Sequence, residues 1–348
     1  MWVNLQLSNS IQGLISFLLL SATLIGQNYV TDVSKVGTTA GGILDMPVSA
    51  RSLAMGNSIS GLGVDASALF INPAATTRLD QGSITATYMP WLADTRLQCF
   101  ALSMPLSQGF VFGTYITSWS MDDMPVRTEI QQDGTGDFFN AGDLVAALVV
   151  GKQLTDRFSI GLGVKYLQER IWHSTAKGYA MDFGTVYRTN ILGDLTMITV
   201  LSNYGTDMQM NGRDQSVVHD PDTEAEGNNG NIPAEYTTDR WPLPLSFRFG
   251  LSSKVISNNL FSVAVEFDAI HPSNNYESID LGVEILILDY VYIRLGKNSL
   301  FQNDAIEGLS LGGGVKFPIN TKAIVFNYGY RDFGHLGYLQ AFSVSATL

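Results

Sequence analysis

Most of the chain reads as a succession of short segments in which apolar and polar side chains alternate. The segment at 158–166 is an example, and one face of it carries Phe158, Ile160, Leu162, Val164 and Tyr166. Successive side chains of a β-strand point to opposite faces, so a period of two predicts strands with one apolar and one polar face. A soluble β-sandwich has the same period. Alternation alone therefore leaves both a sandwich and a barrel open.

The connections between these segments favour the barrel. We predict fourteen strands, at 83–91, 96–105, 109–119, 143–154, 157–170, 178–189, 194–204, 245–254, 260–269, 278–288, 290–297, 308–317, 322–331 and 338–348. Short turns alternate with longer connections at 120–142, 171–177, 205–244, 270–277, 298–307 and 332–337, and only the first connection of the longer series, 92–95, is short. Tight periplasmic turns alternating with longer external loops are typical of outer-membrane barrels. The sequence thus predicts an all-β protein, a 14-stranded antiparallel transmembrane β-barrel with both chain ends on the periplasmic side.

One stretch, 37–78, does not alternate. It is rich in glycine, and Pro47 and Gly56 are expected to open and close one helical turn. Asp65 is expected to cap a second turn at 66–71, which Pro73 ends. The stretch is too short to form a core alone, so we predict that it packs inside the barrel, and we call it the plug. The predicted domains are a signal peptide at 1–26, a periplasmic segment with the plug at 27–82, and the barrel at 83–348.

The apolar run at 11–25 is the only long one, and its length and N-terminal position predict a secretory signal peptide cleaved near residues 26–27. No other segment is suited to a transmembrane helix. If the chain sits in a membrane, it does so as a barrel.

The two faces of the predicted strands differ in chemistry. Lipid is expected to cover the row formed by Leu281, Val283, Ile285 and Ile287. The polar faces carry both signs of charge, on Lys165, Arg248, Glu266, Asp268, Glu284, Arg294, Lys316 and Arg331. We favour a salt-bridge network that fills the barrel over a charged permeation path. Arg51 in the plug is expected to pair with a lumen carboxylate such as Glu266 or Glu284, as a fixed anchor rather than a gate.

Aromatic residues near the predicted strand ends suggest the girdles that meet lipid headgroups. They are Tyr88, Trp91, Trp119, Trp172, Tyr179, Trp241, Tyr290, Tyr292 and Tyr338.

Acidic residues are concentrated in two predicted external loops. The net charge of the chain is −12. Loop 120–142 has five acids and one base, and loop 205–244 has eight acids and two bases, so together they carry −10. This balance excludes nucleic acid as an expected partner. The second loop has the composition of a mobile or partner-ordered segment, and its acids lack an EF-hand spacing, so no metal site is predicted.

Nothing in the sequence predicts an enzyme. The four histidines, His173, His219, His271 and His335, fall in or beside predicted external loops and lack a Ser or Asp partner at a known motif spacing. We predict no catalytic residue, no cofactor and no metal. The single cysteine, Cys99, is expected to be a small buried hydrophobic residue.

The plug region resembles the N-terminal signature of the PorV/PorQ family of outer-membrane proteins. The resemblance covers 31–74 and is carried by the sequences DVSKVGT at 32–38, Ala-Arg at 50–51, Ala-Met-Gly at 54–56, DASAL at 65–69 and Asn-Pro-Ala at 72–74. The Asn-Pro-Ala block is also similar to the FadL family, which has fourteen strands and an N-terminal hatch. The resemblance marks these plug residues as motif positions: Arg51, Met55, Gly56, Asp65, Asn72, Pro73 and Ala74.

The same resemblance carries an expectation of function. It implies a bacterial outer-membrane barrel that acts as a shuttle or adaptor of the type IX secretion system. The partners would be outer-membrane lipid, secreted cargo proteins bound through the external loops, and other components of that system. The alternative is a FadL-like channel for hydrophobic small molecules.

Overall fold

The structure, a computed structural model, describes residues 35–58, 65–77, 79–191, 194–221, 224, 230–302 and 305–348. The predicted signal peptide at 1–26 and its cleavage site lie outside these residues. Fourteen long strands form the body: β1 (Ser83–Pro90), β2 (Arg96–Pro105), β3 (Phe110–Ser120), β4 (Ala141–Gln153), β5 (Phe158–Ile171), β6 (Ser174–Thr189), β7 (Leu195–Gly205), β8 (Ser246–Ser257), β9 (Phe261–Pro272), β10 (Ser278–Ile287), β11 (Val291–Leu300), β12 (Ser310–Ile319), β13 (Lys322–Asp332) and β14 (Tyr338–Thr347).

These strands form a closed antiparallel barrel. Each strand pairs with the next one along the chain, and β14 returns to pair with β1 from Thr347 opposite Ser83 to Phe342 opposite Tyr88. Closure leaves the barrel without a free sheet edge, which is the condition for placing strands in hydrocarbon. The predicted fold, with fourteen strands, is confirmed.

One predicted external loop is absent. The connection expected at 171–177 is a two-residue turn, Trp172 and His173, because β6 begins at Ser174 rather than at residue 178. Glycine at 178 and lysine at 177 hid the true start of this strand. Strand β6 therefore extends past the end of β7, whose last residue, Gly205, pairs with Ala180, and a two-residue strand, Asn211–Gly212, pairs with the beginning of β6.

The long connection at 206–245 is partly folded. Met208–Gln209 pairs with Arg240–Trp241, and Ser216–His219 pairs with Ile232–Glu235. The loop after β3 contains a similar short pairing of Met124–Pro125 with Phe138–Phe139. The composition of this connection predicts a mobile or partner-ordered segment, and the β-branched pair at Val217 and Val218 favours the extended backbone of the second pairing.

The outer wall is apolar. On β10, Leu281, Val283, Ile285 and Ile287 lie on the outside and alternate with the buried Asp280, Gly282 and Glu284, as predicted. None of the helices in the described part of the chain is long and apolar enough to span a bilayer.

Three of the aromatic residues expected in girdles lie inside the barrel instead. Trp91 and Trp119 pack against the core, and Tyr292 lines two interior cavities. Their positions in the alternation explain this. Trp119 is opposite the buried Leu97, and Tyr292 lies two residues before the buried Arg294.

The interior has two different halves. The inner faces of β1 to β4 are mainly apolar and pack on the plug, through residues such as Met89, Leu97, Ala101, Tyr115, Val145, Ala147 and Val149. Cys99 is buried among them, as predicted. The inner faces of β9 to β13 carry the buried charges Glu266, Asp268, Asp280, Glu284, Arg294 and Arg331. The predicted salt bridges are present mainly in this half, and a further buried pair joins Lys165 on β5 to Asp182 on β6.

The outer face of β10 provides a test of the membrane assignment. Val283→Arg places a charge near the middle of an outward row, and we expect it to lower the free energy of unfolding by roughly 2–4 kcal/mol in lipid. The measurement is urea-induced unfolding in liposomes, followed by tryptophan fluorescence. Val283→Leu is the matched control and should have little effect. Equal stability of the two variants would contradict a lipid-facing position.

Candidate functional site

The described residues of the plug form three short helical turns. They are a 3-10 turn at Gly42–Asp45, an α-helix, α1, at Ala50–Ala54, and a 3-10 turn at Ala66–Phe70. Helix α1 begins later than Pro47 led us to expect, because the hydroxyl of Ser49 accepts a hydrogen bond from the N–H of Ser52 at 3.0 Å and caps it.

Two other predicted boundaries of these turns, at Gly56 and Asp65, agree with the structure. Gly56 follows α1 with a φ of 64°, in the left-handed region that glycine tolerates, as its predicted role requires. Asp65 caps the last turn, as predicted, by accepting a hydrogen bond from the N–H of Ser67 at 2.9 Å.

Arg51 is the charged residue at the centre of the plug. It projects from α1 between β9 and β10, where its Nε lies 2.9 Å from Glu284 Oε2 and its Nη2 lies 3.2 Å from Glu266 Oε1. Both lumen carboxylates proposed as partners are therefore in contact with it. All three side chains are buried, so the ion pairs have little competition from water.

The network extends beyond Arg51. Glu284 Oε2 also accepts from Arg294 Nε at 2.6 Å, and Arg294 Nη1 donates to Asn327 Oδ1 at 2.8 Å. Two arginines thus face two glutamates, and the four formal charges sum to zero. Burial by itself lowers the pKa of Arg51, but Glu284 and Glu266 outweigh this effect and hold its pKa above the ordinary value. The guanidinium is fixed as a cation.

Four wall glycines accommodate α1 and the two residues after it. A Cβ on Gly296 would lie 2.2 Å from the backbone of Met55 and Gly56, and one on Gly312 would lie 2.4 Å from the Cβ of Ala54. The other two are Gly282 and Gly329, where a Cβ would lie 2.8 Å from Met55 and 2.4 Å from Ala50. Side chains are excluded at these inward positions because the plug backbone occupies their space.

A second group of glycines accommodates the Asn-Pro-Ala block. A Cβ on Gly161 would lie 2.3 Å from the backbone of Pro73 and 2.4 Å from that of Ala74. On Gly184 it would lie 2.1 Å from Asn72 Oδ1. Asn72 holds its own turn by accepting from the Ala74 N–H at 2.9 Å, and its Nδ2 donates to a backbone carbonyl of β6 at 3.2 Å. The block is thus fixed to the wall on the side away from Arg51.

The plug also bonds to the closing seam, which we define as the inward hydroxyls of β1 and β14. Ser343 Oγ accepts from the first N–H of α1 at 2.8 Å, and Asp65 Oδ2 accepts from Ser345 Oγ at 2.8 Å. Ser83 Oγ accepts from the N–H of Ala66 at 3.0 Å. The N-terminal ends of two helical turns of the plug are therefore hydrogen-bonded to the two strands that close the barrel.

Two cavities lie on opposite sides of α1. The external cavity, about 270 Å³, lies on the side of the long loops and is lined by residues that include Ser52, Asn57, Lys165, Arg248, Asp280 and Asn298. The periplasmic cavity, about 470 Å³, lies among the short turns and is lined by residues that include Arg157, Lys254, Glu284 and Tyr292. The plug and the Arg51 network lie between them.

A Ser, His and Asp also meet in the external loops. His173 Nδ1 lies 2.9 Å from Asp214 Oδ1, but Ser174 Oγ donates to Asp214 and not to the histidine. Arg213 Nη2 lies 2.7 Å from His173 Nε2, the nitrogen that a nucleophile would need. The hydrogen bond from His173 lowers the pKa of Asp214. The arrangement ties loop residues to the β5–β6 hairpin and lacks the geometry of a catalytic triad.

The structure brings every predicted motif residue of the plug to the barrel wall or the closing seam. Arg51 contacts the charged half, Met55 and Gly56 contact the first glycine group, Asp65 contacts the seam, and the Asn-Pro-Ala block contacts the second glycine group. Among the described residues there is no cluster of three or more His, Cys, Asp or Glu that would hold a metal ion. Sequence reasoning missed the wall glycines, although their recurrence at inward positions was the available signal.

Taken together, these features define a class of protein. A closed barrel with an apolar outer wall and a filled lumen is an integral β-barrel of the bacterial outer membrane. Its fold is that of the FadL-like barrels, and the comparisons with known proteins agree with this assignment.

No protein-family model matches the chain, and no curated protein matches it. Solved structures do. A FadL homologue of Pseudomonas aeruginosa matches with a TM-score of 0.53 and 15% identity, over 86% of this chain and 98% of that one. The P. putida toluene transporter TodX matches with 0.52 and 12%, over 86% and 96%. The Ralstonia pickettii toluene transporter TbuX matches with 0.50 and 13%, over 86% and 97%. At these identities the likeness establishes the fold.

The Arg51 contacts lead to a stability prediction. Arg51→Met leaves Glu266 buried without its partner, and we expect the free energy of unfolding to fall by about 3–5 kcal/mol. Adding Glu266→Gln should restore part of the loss, because Glu284 keeps Arg294. Urea unfolding in detergent micelles measures both variants. If Arg51→Met alone is as stable as the unmodified protein, the anchor role is wrong.

The wall glycines lead to a second prediction. Gly296→Ala drives a methyl group into the plug backbone, and we expect the plug to become sensitive to protease with a loss of about 1–3 kcal/mol in stability. Limited proteolysis with mass spectrometry locates the cleavage. Gly163→Ala is the matched control, since a Cβ there has its nearest neighbour at 3.6 Å. Equal protection in both variants would show that the plug does not depend on this contact.

Proposed function

We propose that this barrel is an adaptor that binds a secreted protein through its external loops, as a PorV-type shuttle of a type IX secretion system does. The observation that carries the proposal is the anchored plug. Buried ion pairs, two glycine groups and the closing seam hold its described residues against the barrel wall. A plug fixed in this way favours a function at the surface of the barrel over one that needs the plug to move.

The external loops supply a suitable surface. Two of them fold into short hairpins that expose large apolar side chains, among them Ile130, Phe138, Val218 and Tyr236. Exposed apolar residues set in a polar, acidic surround are typical of protein interaction sites. The charge of the same loops favours a partner with a basic contact surface.

A second candidate is a channel for hydrophobic small molecules. It is favoured by the fold likeness to structures named as toluene transporters and by the apolar half of the interior. This function would require the plug to move, because Leu53 and Leu69 fill the space beside β1 to β4.

The register of the loop hairpins permits a clean deletion. Ser216 and Glu235 are cross-strand partners, so residues 217–234 can be replaced by a short Gly-Ser turn without separating the ends. Pro125 and Phe138 are also partners, so removing residues 126–137 is a matched control in the other loop. Both deletions leave all fourteen barrel strands intact.

We expect a pull-down from native outer membranes to recover secreted proteins that share a C-terminal domain. Recovery should fall at least about tenfold without residues 217–234, because the principal contact surface is gone, and should persist without residues 126–137. Mass spectrometry of the bound fraction is the readout. Recovery of an apolar small molecule with no protein partner would overturn the adaptor proposal and support the channel.

A further inference from the structure

A β-bulge in the barrel wall directs polar groups towards the external cavity. Ile279 pairs with Leu300 and Leu281 pairs with Lys297, so two residues of β11, Asn298 and Ser299, oppose the single residue Asp280 of β10. Ser299 has a φ of 52°, an uncommon value for a residue with a side chain. Bulges of this kind recur where a wall re-aims side chains at a site.

The bulge leaves one buried hydrogen-bond acceptor without a donor among the described residues and one buried carboxylate without a salt bridge to them. Asn298 is 4% exposed and lines the cavity, yet its Oδ1 has no hydrogen-bond partner among the described residues. Asp280 is 2% exposed, accepts a hydrogen bond from the Ser299 N–H at 2.9 Å, and forms no salt bridge within the described part of the chain. Buried acceptors left in this state are rare in folded proteins and call for a donor.

The cations that line the cavity are already engaged. Lys165 Nζ lies 2.7 Å from Asp182 Oδ2, and Arg248 Nη1 lies 2.8 Å from Asp268 Oδ2. The carboxylate of Asp280 is therefore not neutralised by direct contact with either cation.

The rim of the cavity is acidic as well. Asp45 accepts a hydrogen bond from Asn274 Nδ2 at 2.9 Å. Glu307 Oε2 lies 3.4 Å from Arg331 Nη1, and burial raises the pKa of Glu307 in spite of Arg331 and Lys297, the two charged groups that face it. Both carboxyl groups lie within reach of a ligand that enters from the external side, because both line the same cavity.

We propose that the external cavity binds an organic cation, a primary ammonium or a guanidinium group, through Asp280 and Asn298. Ammonium and guanidinium groups donate hydrogen bonds and accept none, which suits Asn298 Oδ1. Each also carries a positive charge that can pair with the Asp280 carboxylate. Asp45 and Glu307 complete the site at its rim. The acidic external loops raise the local concentration of such ligands. The proposal does not depend on which protein the loops bind.

The test is calorimetric titration of the purified full barrel in detergent micelles with putrescine. The uncharged analogue 1,4-butanediol is the reference ligand. We expect putrescine to bind and butanediol not to bind, and we expect Asp280→Asn to weaken putrescine by about tenfold or more. Asparagine keeps the acceptor for the Ser299 N–H, so the bulge is retained. Asp45→Asn, at the rim, is a second variant that does not touch the wall and should give a smaller loss.

Glu277→Gln is the matched control. Glu277 pairs with His271 on the same rim but does not line the cavity, so its removal changes the loop charge without changing the site. An equal loss of affinity in Glu277→Gln and Asp280→Asn would mean that the ligand is attracted by the overall charge of the loops and not by the cavity, and would overturn the proposal. Binding of butanediol equal to that of putrescine, or no binding of putrescine at millimolar concentration, would also overturn it.

Two arms distinguish the source of the cation. One uses putrescine, a free diamine, and the other uses a short peptide with blocked ends and one central lysine. Competition between them with loss of both in Asp280→Asn supports a side chain from a bound protein. Binding of putrescine alone supports a free amine as the ligand. In either arm affinity should fall as the pH is lowered through the raised pKa of Glu307, because protonation removes the rim charge.

Discussion

A buried guanidinium between two buried carboxylates is the interaction on which the interior depends. Separating Arg51 from Glu266 and Glu284 would leave Arg51 and Glu266 uncompensated in a space with little water, at several kcal/mol each, whereas Glu284 would keep Arg294. Displacing the plug therefore requires either a partner that replaces these contacts or a route that leaves them intact. The two arginines and two glutamates have no net charge together. Removing any one of them would leave an unbalanced buried charge.

The division of the interior into two halves follows from this interaction. Charged side chains on β9 to β13 need a cation at the axis, and α1 supplies it. The remaining half of the plug then faces β1 to β4, where the side chains of Leu53, Leu69 and Tyr115 belong to one apolar cluster. Glycines on the wall bring the plug backbone close enough for both sets of contacts. The closing seam adds a link between the plug and the two ends of the barrel.

Much of the fold was predictable because period two and connection length are local properties. Fourteen strands, the outward row on β10 and the Asp65 cap all follow from residues near one another in sequence. The start of β6 was misjudged because Lys177 and Gly178 resemble a loop. The inward positions of Trp119 and Tyr292 were missed because aromatic residues near strand ends suit both faces. The cavity and the bulge at Asp280 depend on register between strands, which no single segment specifies.

The same interior bears on the choice between a surface adaptor and a channel. An apolar solute has no group that can replace Arg51 beside Glu266 and Glu284. Its binding therefore supplies no free energy to separate these ion pairs. Its path would have to follow the apolar half, where tight packing leaves space only if Leu53 or Leu69 moves. A cationic group arriving from the external side meets the opposite situation, since Asn298 Oδ1 lacks a donor among the described residues and the Asp280 carboxylate beside it forms no salt bridge with them. These contacts are the support for our proposals that the external face binds charged groups and a protein partner.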